Sequence, residues 1–273
     1  MLDAPGLHLR SLEMRAWPER LSGKYPFHLA CLQPGEKFEF TSQVTFLVGE
    51  NGSGKSTLLE TLACAIGSIT VGAESVTRDA SLTDVRELAQ YMRLTWQKRT
   101  HKGFFLRAED FFGYARRMAQ TRDELESDLA GVDQEYQGRS ELAKEMARLP
   151  YQTELGSLRR RYGQGLDSQS HGESFLLLFQ SRFVPGGLYL LDEPEAPLSP
   201  IRQLGFLSLL KEMVAQQAQF IIATHSPILM AFPGADLLSF DDGKARRVAY
   251  DDLEHVRLTR DFLNNPDAFL RHL

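Results

Sequence analysis

The stretch GENGSGKST, residues 49 to 57, sets Gly49, Gly52 and Gly54 ahead of Lys55, Ser56 and Thr57. It fits G-x-x-x-x-G-K-[ST], and each residue type has a task at that spacing. Glycines let the backbone curl until successive N–H groups point at phosphate oxygens, and a helix starting there adds the positive end of its dipole. Lys55 is expected to reach the β- and γ-phosphates of a nucleotide and Ser56 to offer its hydroxyl to Mg²⁺. Asn51, Gly52, Ser53 and Thr57 complete the expected nucleotide-binding loop.

Three more stretches carry candidate chemistry. LYLLDEPEAP places Asp192 and Glu193 directly after an apolar run. Adjacent carboxylates at a buried strand end are costly unless a cation or a proton transfer uses them. Asp192 is expected to support Mg²⁺, directly or through water, and Glu193 to orient and deprotonate an attacking water. Glu195 is a rival for that base, less fixed by the strand. FIIATHSP puts His225 after another apolar run, where an imidazole can bond a γ-phosphate and sense its loss. QSHGESFLLLF, residues 169 to 179, leaves two readings open. Ser170 and Glu173 fit a capping box ahead of an apolar run. Alternatively, Ser170, Gly172 and the helix start form a socket for another molecule's phosphate.

These residues need elements to hold them. VTFLVG, residues 44 to 49, reads as a strand, and Leu58, Leu59, Leu62, Ala63 and Ile66 as a helix ended by Gly67. FHLACLQPGEKFEFTSQ alternates about a Pro-Gly turn, as a hairpin would. TDVRELAQYMRLTWQKR and the charged TRDELESDLAGVDQEYQGRSELAKEMARL read as helices. Residues 71 to 169 are thus expected to form a compact helical insertion, with no sustained heptad seam. GLYLLD and QFIIAT read as parallel strands buried on both faces, with a helix from 201 to about 216 between them. LLSF, DDGK and RRVAY suggest a terminal hairpin, and Asn265-Pro266 a cap for a last helix. The expectation is one α/β domain over residues 1 to 273.

A net charge of −5 argues against a nucleic-acid binder that is basic all over. A local footprint remains open. No acidic residue occurs from Leu88 to Ala108, where Arg93, Lys98, Arg99, Lys102 and Arg107 stand among Trp96, Phe104 and Phe105. Arg159, Arg160, Arg161 and Tyr162 form a second basic run. Solvated helix faces, or arginines that hold a partner's nucleotide, are the competing explanations. Cys31 and Cys64 have neither metal-like nor disulfide-dense spacing, which suits a reducing compartment. With no leader pattern and no apolar run of membrane-spanning length, the expected location is cytoplasmic, without direct membrane insertion.

Phosphate loop, helical insertion, SHGES, LLDEP and ATHSP, in that order, resemble the ABC-type ATPases. Within them the chain looks most like the RecF-like and SMC-like branch, often grouped as AAA-family ATPases. The resemblance implies a P-loop NTPase fold, with a nucleotide-binding lobe built on a mostly parallel sheet and a helical lobe. It also implies ATP and Mg²⁺ as ligands and a homodimer that closes over two ATP molecules. Ser170, Gly172 and Glu173 would then complete the partner's site, while Asp192, Glu193 and His225 take the metal, base and switch positions. Residues 196 to 199 fall at the D-loop place, loosely matched because of Pro197. Where the family carries a glutamine, this chain has GFFLRAEDFF, with Arg107 or Glu109 at the corresponding place. Phe27 and Phe40 are candidates to stack on adenine. The insertion is too short for the long arms of SMC proteins, so work would pass through an effector protein or DNA. DNA maintenance or anti-phage defence is the leading role. The nucleotide-binding subunit of a membrane transporter is the alternative, and a small-molecule kinase, which leaves SHGES and His225 unused, ranks last.

Overall fold

The computed structural model describes residues 6–71, 76–162 and 171–271. The first part of the chain gives β1 (Leu9–Met14), β2 (Lys37–Glu39), β3 (Val44–Val48) and α1 (Lys55–Ile66). Next come α2 (Thr83–Ala89), β4 (Met92–Trp96), β5 (Gly103–Arg107), α3 (Ala108–Glu135), α4 (Glu141–Tyr162) and α5 (His171–Arg182). The last part holds β6 (Leu188–Asp192), α6 (Pro200–Ala215), β7 (Gln219–Ala223), α7 (Pro227–Met230) and β8 (Asp236–Ser239). It finishes with β9 (Arg246–Arg247), α8 (Glu254–Asn264) and α9 (Pro266–Leu270).

The strands VTFLV, LYLLD and QFIIA are buried at every position, as parallel strands covered on both faces must be. They lie in a six-stranded sheet of order β5-β6-β7-β3-β8-β9. All neighbours are parallel except β9, which runs antiparallel to β8 as the terminal hairpin. Asp192 is in register with both Arg107 and Ala223, and Ala223 with Leu47. The carboxyl ends of β5, β6, β7 and β3 therefore finish at one edge, the edge at which open α/β sheets bind ligands.

The pleat divides the core in two. Leu47, Phe105, Leu190 and Ile221 face Leu58, Leu59 and Leu62 of α1. Phe46, Phe104, Leu191, Phe220 and Ile222 face the opposite way, towards Phe175, Phe179, Phe206 and Leu210. Aromatic rings dominate this second core: Phe179 lies 4.5 Å from Phe175 and 4.9 Å from Phe206. Phe111 meets Phe175 edge-on at 4.5 Å, which fastens α3 to α5. Such pairs add roughly 0.5–1.5 kcal/mol beyond area burial.

Two local expectations give way to long-range pairing. Residues 83 to 99 do not form one helix: α2 ends at Ala89, and Met92, Leu94 and Trp96 belong to β4. FHLACLQPGEKFEFTSQ is no hairpin either, because Ala30–Leu32 forms a 3-10 turn and only Lys37–Glu39 is strand. Both β2 and β4 pair antiparallel with β1 in a separate three-stranded sheet, order β2-β1-β4. β5 in turn joins the main sheet, so residues 83 to 107 supply strands to two sheets and the expected helical insertion narrows to α3 and α4. These two helices pack side by side. Gly67 closes α1 at φ 72°, and the Asn265 side chain accepts from Ala268 N–H at the start of α9. Among the described residues no helix is long and apolar enough to cross a membrane.

Candidate functional site

The phosphate loop joins β3 to α1. Gly49, Gly52 and Gly54 have φ of 141°, 81° and 100°, a region that side chains other than glycine's rarely adopt. Space forbids a side chain as well: a Cβ on Gly54 would lie 2.5 Å from Cys31 Sγ, and one on Gly49 2.8 Å from Asp241 Oδ1. Lys55 is buried and folds back over the loop, its Nζ donating to Gly49 O at 2.7 Å and Glu50 O at 2.8 Å. Burial holds the ammonium below its ordinary pKa, against the pull of Asp192, Glu193, Asp241 and Glu50. Three residues brace the loop from outside. Asp241 Oδ1 accepts from Glu50 N–H at 2.9 Å, Cys31 Sγ donates to Ser53 O at 3.2 Å, and the Tyr25 and Thr57 hydroxyls lie 3.1 Å apart.

Asp192 ends β6 and is 9% exposed. Ser56 Oγ donates to its Oδ1 at 3.1 Å. Burial pushes the carboxyl up to about 7, with Ser56 drawing it back and Glu193 and Glu60 adding to the rise. A buried acid and a hydroxyl, both oxygen donors, next to a loop of N–H groups, form a set that fits a hard divalent cation carrying phosphates. The cleft beside them, about 280 Å³, is lined by Ser56, Glu60, Arg107, Glu109, Asp192 and Glu193.

Glu193 takes φ 50°, rare for a residue with a side chain, and its N–H donates to Ala223 O at 2.9 Å. That turn lifts its half-exposed carboxylate out of the sheet and brings Oε1 within 3.9 Å of His225 Nε2. Burial holds His225 below its ordinary pKa, Lys55 acts in the same direction, and Glu193 opposes them. The shift favours the neutral imidazole, whose Nε2 can donate or accept one hydrogen bond according to tautomer. Glu195 is tied elsewhere, accepting the His225 backbone N–H on Oε1 at 2.7 Å.

Lys55, Ser56, Asp192, Glu193 and His225 therefore meet at one sheet edge, the first two from the start of α1 and the others at or just beyond the ends of β6 and β7. Ser170 lies outside the described residues, as does the Glu173 side chain, while Gly172 and Glu173 stand in the first turn of α5. Arg107 is no free cation. Its guanidinium bonds Asp110 and Asp79 at 2.9 Å, Ser81 at 3.2 Å and Glu60 at 3.3 Å, and it is 8% exposed. Arg93, Lys98, Arg99 and Lys102 are exposed. The last three precede β5, at the end of the sheet away from Asp192. The side chains of Arg159, Arg160 and Arg161 lie outside the described residues. Phe27 and Phe40 are 1% and 2% exposed within the core, so neither can stack on a base, whereas Tyr25 stands exposed beside Thr57. Tyr25, Cys31 and Asp241 are loop-bracing residues that motif spacing does not reveal. An aromatic a short way upstream of the loop was the only available signal.

Comparison with known proteins gives a matching pattern. A family described as "AAA domain" matches residues 28–180, more than half of the chain. A second, described as "AAA domain … Type IV TA system", matches residues 174–231. An "Uncharacterized ABC transporter ATP-binding protein" of Haemophilus influenzae is 29% identical over 73% of this chain and 70% of its own length. The "Macrolide export ATP-binding/permease protein MacB" of Pectobacterium atrosepticum is 24% identical over 67% of this chain, a match that spans 26% of that protein. Among solved structures, the Smc head domain of Pyrococcus furiosus, bound to the C-terminal domain of ScpA, overlays at TM-score 0.47. It is 12% identical and covers 94% of this chain and 99% of that one.

Proposed function

The chain belongs to the AAA domain family, and from that premise we propose that it binds ATP with Mg²⁺ and hydrolyses it to ADP and phosphate. One observation carries the reading: Lys55, the Ser56–Asp192 pair and the Glu193–His225 pair share one edge of one sheet. Backbone N–H groups of residues 49 to 57 and the Lys55 ammonium take the β- and γ-phosphates, for which Lys55 exchanges its bonds to Gly49 O and Glu50 O. Ser56 and Asp192 hold Mg²⁺, which when bound neutralises phosphate charge. Glu193, lifted by its left-handed turn, orients a water and takes its proton as the water oxygen attacks the γ-phosphorus and ADP leaves. His225 Nε2 bonds the γ-phosphate oxygen on which charge gathers. Glu195, engaged by His225 N–H, is not the base.

The ATPase works as an ATP-gated homodimer, with Ser170, Gly172 and Glu173 of one subunit facing the nucleotide of the other, and it sits in the cytoplasm. Its role is DNA maintenance or anti-phage defence through DNA or an effector protein. The type IV system named for the second matching family supports this, as do the exposed Arg93, Lys98, Arg99 and Lys102. The transporter reading has its own support in the names of the Haemophilus influenzae and Pectobacterium atrosepticum relatives. A Glu193→Gln variant should bind ATP, hydrolyse it at least roughly a hundredfold more slowly, and accumulate as a dimer in light scattering. Lys55→Ala should fail to bind. Normal hydrolysis by Glu193→Gln would remove the base assignment. DNA should raise the wild-type rate, and charge reversal at Lys98, Arg99 and Lys102 should cancel that rise. Indifference to DNA, with co-purification of a membrane protein, would favour the transporter subunit.

A further inference from the structure

The chain leaves β6 and β7 side by side, and three contacts join the two loops that follow. Glu193 N–H donates to Ala223 O at 2.9 Å, Glu193 Oε1 stands 3.9 Å from His225 Nε2, and His225 N–H donates to Glu195 Oε1 at 2.7 Å. The third is the only one in which a side chain holds the backbone of the histidine. Glu195 is an odd choice for a mere brace. Its carboxylate is turned inward, and burial pushes its pKa up, with the His225 N–H and the Thr224 hydroxyl drawing it back. An acid drawn out of water weakens the fold, as a neutral acceptor would not. The loop itself is already shaped without it, by Ala196 N–H on Glu193 O at 3.0 Å and by Leu198 N–H on the Glu195 backbone carbonyl at 2.8 Å.

We infer that Glu195 is the positioning residue of this site and acts through His225: its carboxylate pins the His225 backbone so that the imidazole stands against Glu193. This rests on the ATPase reading for its consequence, though not for its geometry. Asp192, Glu193, Glu195 and His225 form a relay of position. β6 fixes Asp192, the left-handed turn at Glu193 sets the base, and Glu195 reaches across to place the histidine beside it. A displacement of about 1 Å at a reacting group can cost roughly a hundredfold in rate. Loss of the Glu195 bond should therefore lower kcat and leave ATP binding, which rests on Lys55 and the loop, nearly unchanged.

The test uses the full chain, Glu195→Ala, Glu195→Gln, His225→Ala and the double variant Glu195→Ala/His225→Ala. Hydrogen exchange of the His225 amide is followed by NMR without nucleotide, and kcat and KM for ATP are measured alongside. Glu195→Ala should lose the amide protection and drop kcat roughly tenfold to a hundredfold at near-constant KM, without lowering the melting temperature. Glu195→Gln keeps an oxygen acceptor and should restore both protection and most of the rate. The double variant should be no slower than His225→Ala, since one residue acts through the other. Unchanged protection and rate in Glu195→Ala, losses that multiply in the double variant, or failure of Glu195→Gln to rescue would each overturn the inference. If the wild type shows no turnover, the ATPase reading falls, while the amide exchange of the alanine and glutamine variants still decides the Glu195–His225 contact.

Discussion

Asp192 shows how a single buried carboxyl can tie stability to pH. Buried and bonded to Ser56, it keeps its proton up to about 7, whereas in the unfolded chain it titrates near the ordinary value of 3.8. Between those two values the folded state binds more protons than the unfolded state, so this residue's contribution to stability falls as pH rises and levels off above about 7. Asp192→Asn should flatten that slope and stabilise the nucleotide-free protein at pH 8 by roughly 2–4 kcal/mol, while abolishing the effect of divalent ion on nucleotide affinity. Urea unfolding at pH 5 and pH 8 reads the first effect, and an unchanged slope in the variant would refute it. At this scale Lys55, Ser56, Asp192, Glu193 and His225 are legible from sequence, because each sits a fixed step beyond an apolar run. Asp241 and Tyr25 are not, since their places beside Glu50 and Thr57 depend on chain segments 191 and 32 residues apart.

At the scale of elements, Arg107 is where one strand hands over to a long helix. It closes β5, and its guanidinium links Glu60 of α1, Asp79 and Ser81 before α2, and Asp110 in the first turn of α3. Removing the cation leaves the carboxylates of Glu60, Asp79, Glu109 and Asp110 facing one another. Burial already pushes Glu60 up, and Arg107 is the largest influence opposing it. Arg107→Ala should cost roughly 3–5 kcal/mol, with the loss greatest at high pH, where the carboxylates are ionised. Chemical denaturation at pH 5.5 and pH 8.5 checks this, and equal losses at both would point to packing alone. The sequence places an arginine here but cannot show its partners, which approach from 28 and 47 residues away. The same limit hid β4. Met92, Leu94 and Trp96 alternate with period two, but five residues beside a helix read as more helix until β1 supplies a neighbour, Leu12 opposite Leu94. VTFLV, LYLLD and QFIIA needed no such help, being apolar enough to demand cover on both faces.

Across the whole molecule, the parallel sheet separates two chemistries. Phosphate loop, carboxylates and histidine occupy the edge where the strands end, while Lys98, Arg99 and Lys102 sit where β5 begins. Five residues of strand, about 16 Å, lie between them. A nucleic acid held by these lysines and arginine would sit at the opposite end of β5 from Asp192. Composition gives the presence of those cations, but only strand direction reveals which pole they occupy. The other pole has a thermal signature. Since a divalent ion on Asp192 requires the carboxylate, loading the site near neutral pH must expel the proton that burial retained there. The heat of Mg²⁺-nucleotide binding should then vary linearly with the ionisation enthalpy of the buffer, with a slope near half a proton, about 0.5, at pH 7 and close to zero at pH 9. A slope of zero at both would mean that the carboxyl is already ionised before any ligand arrives.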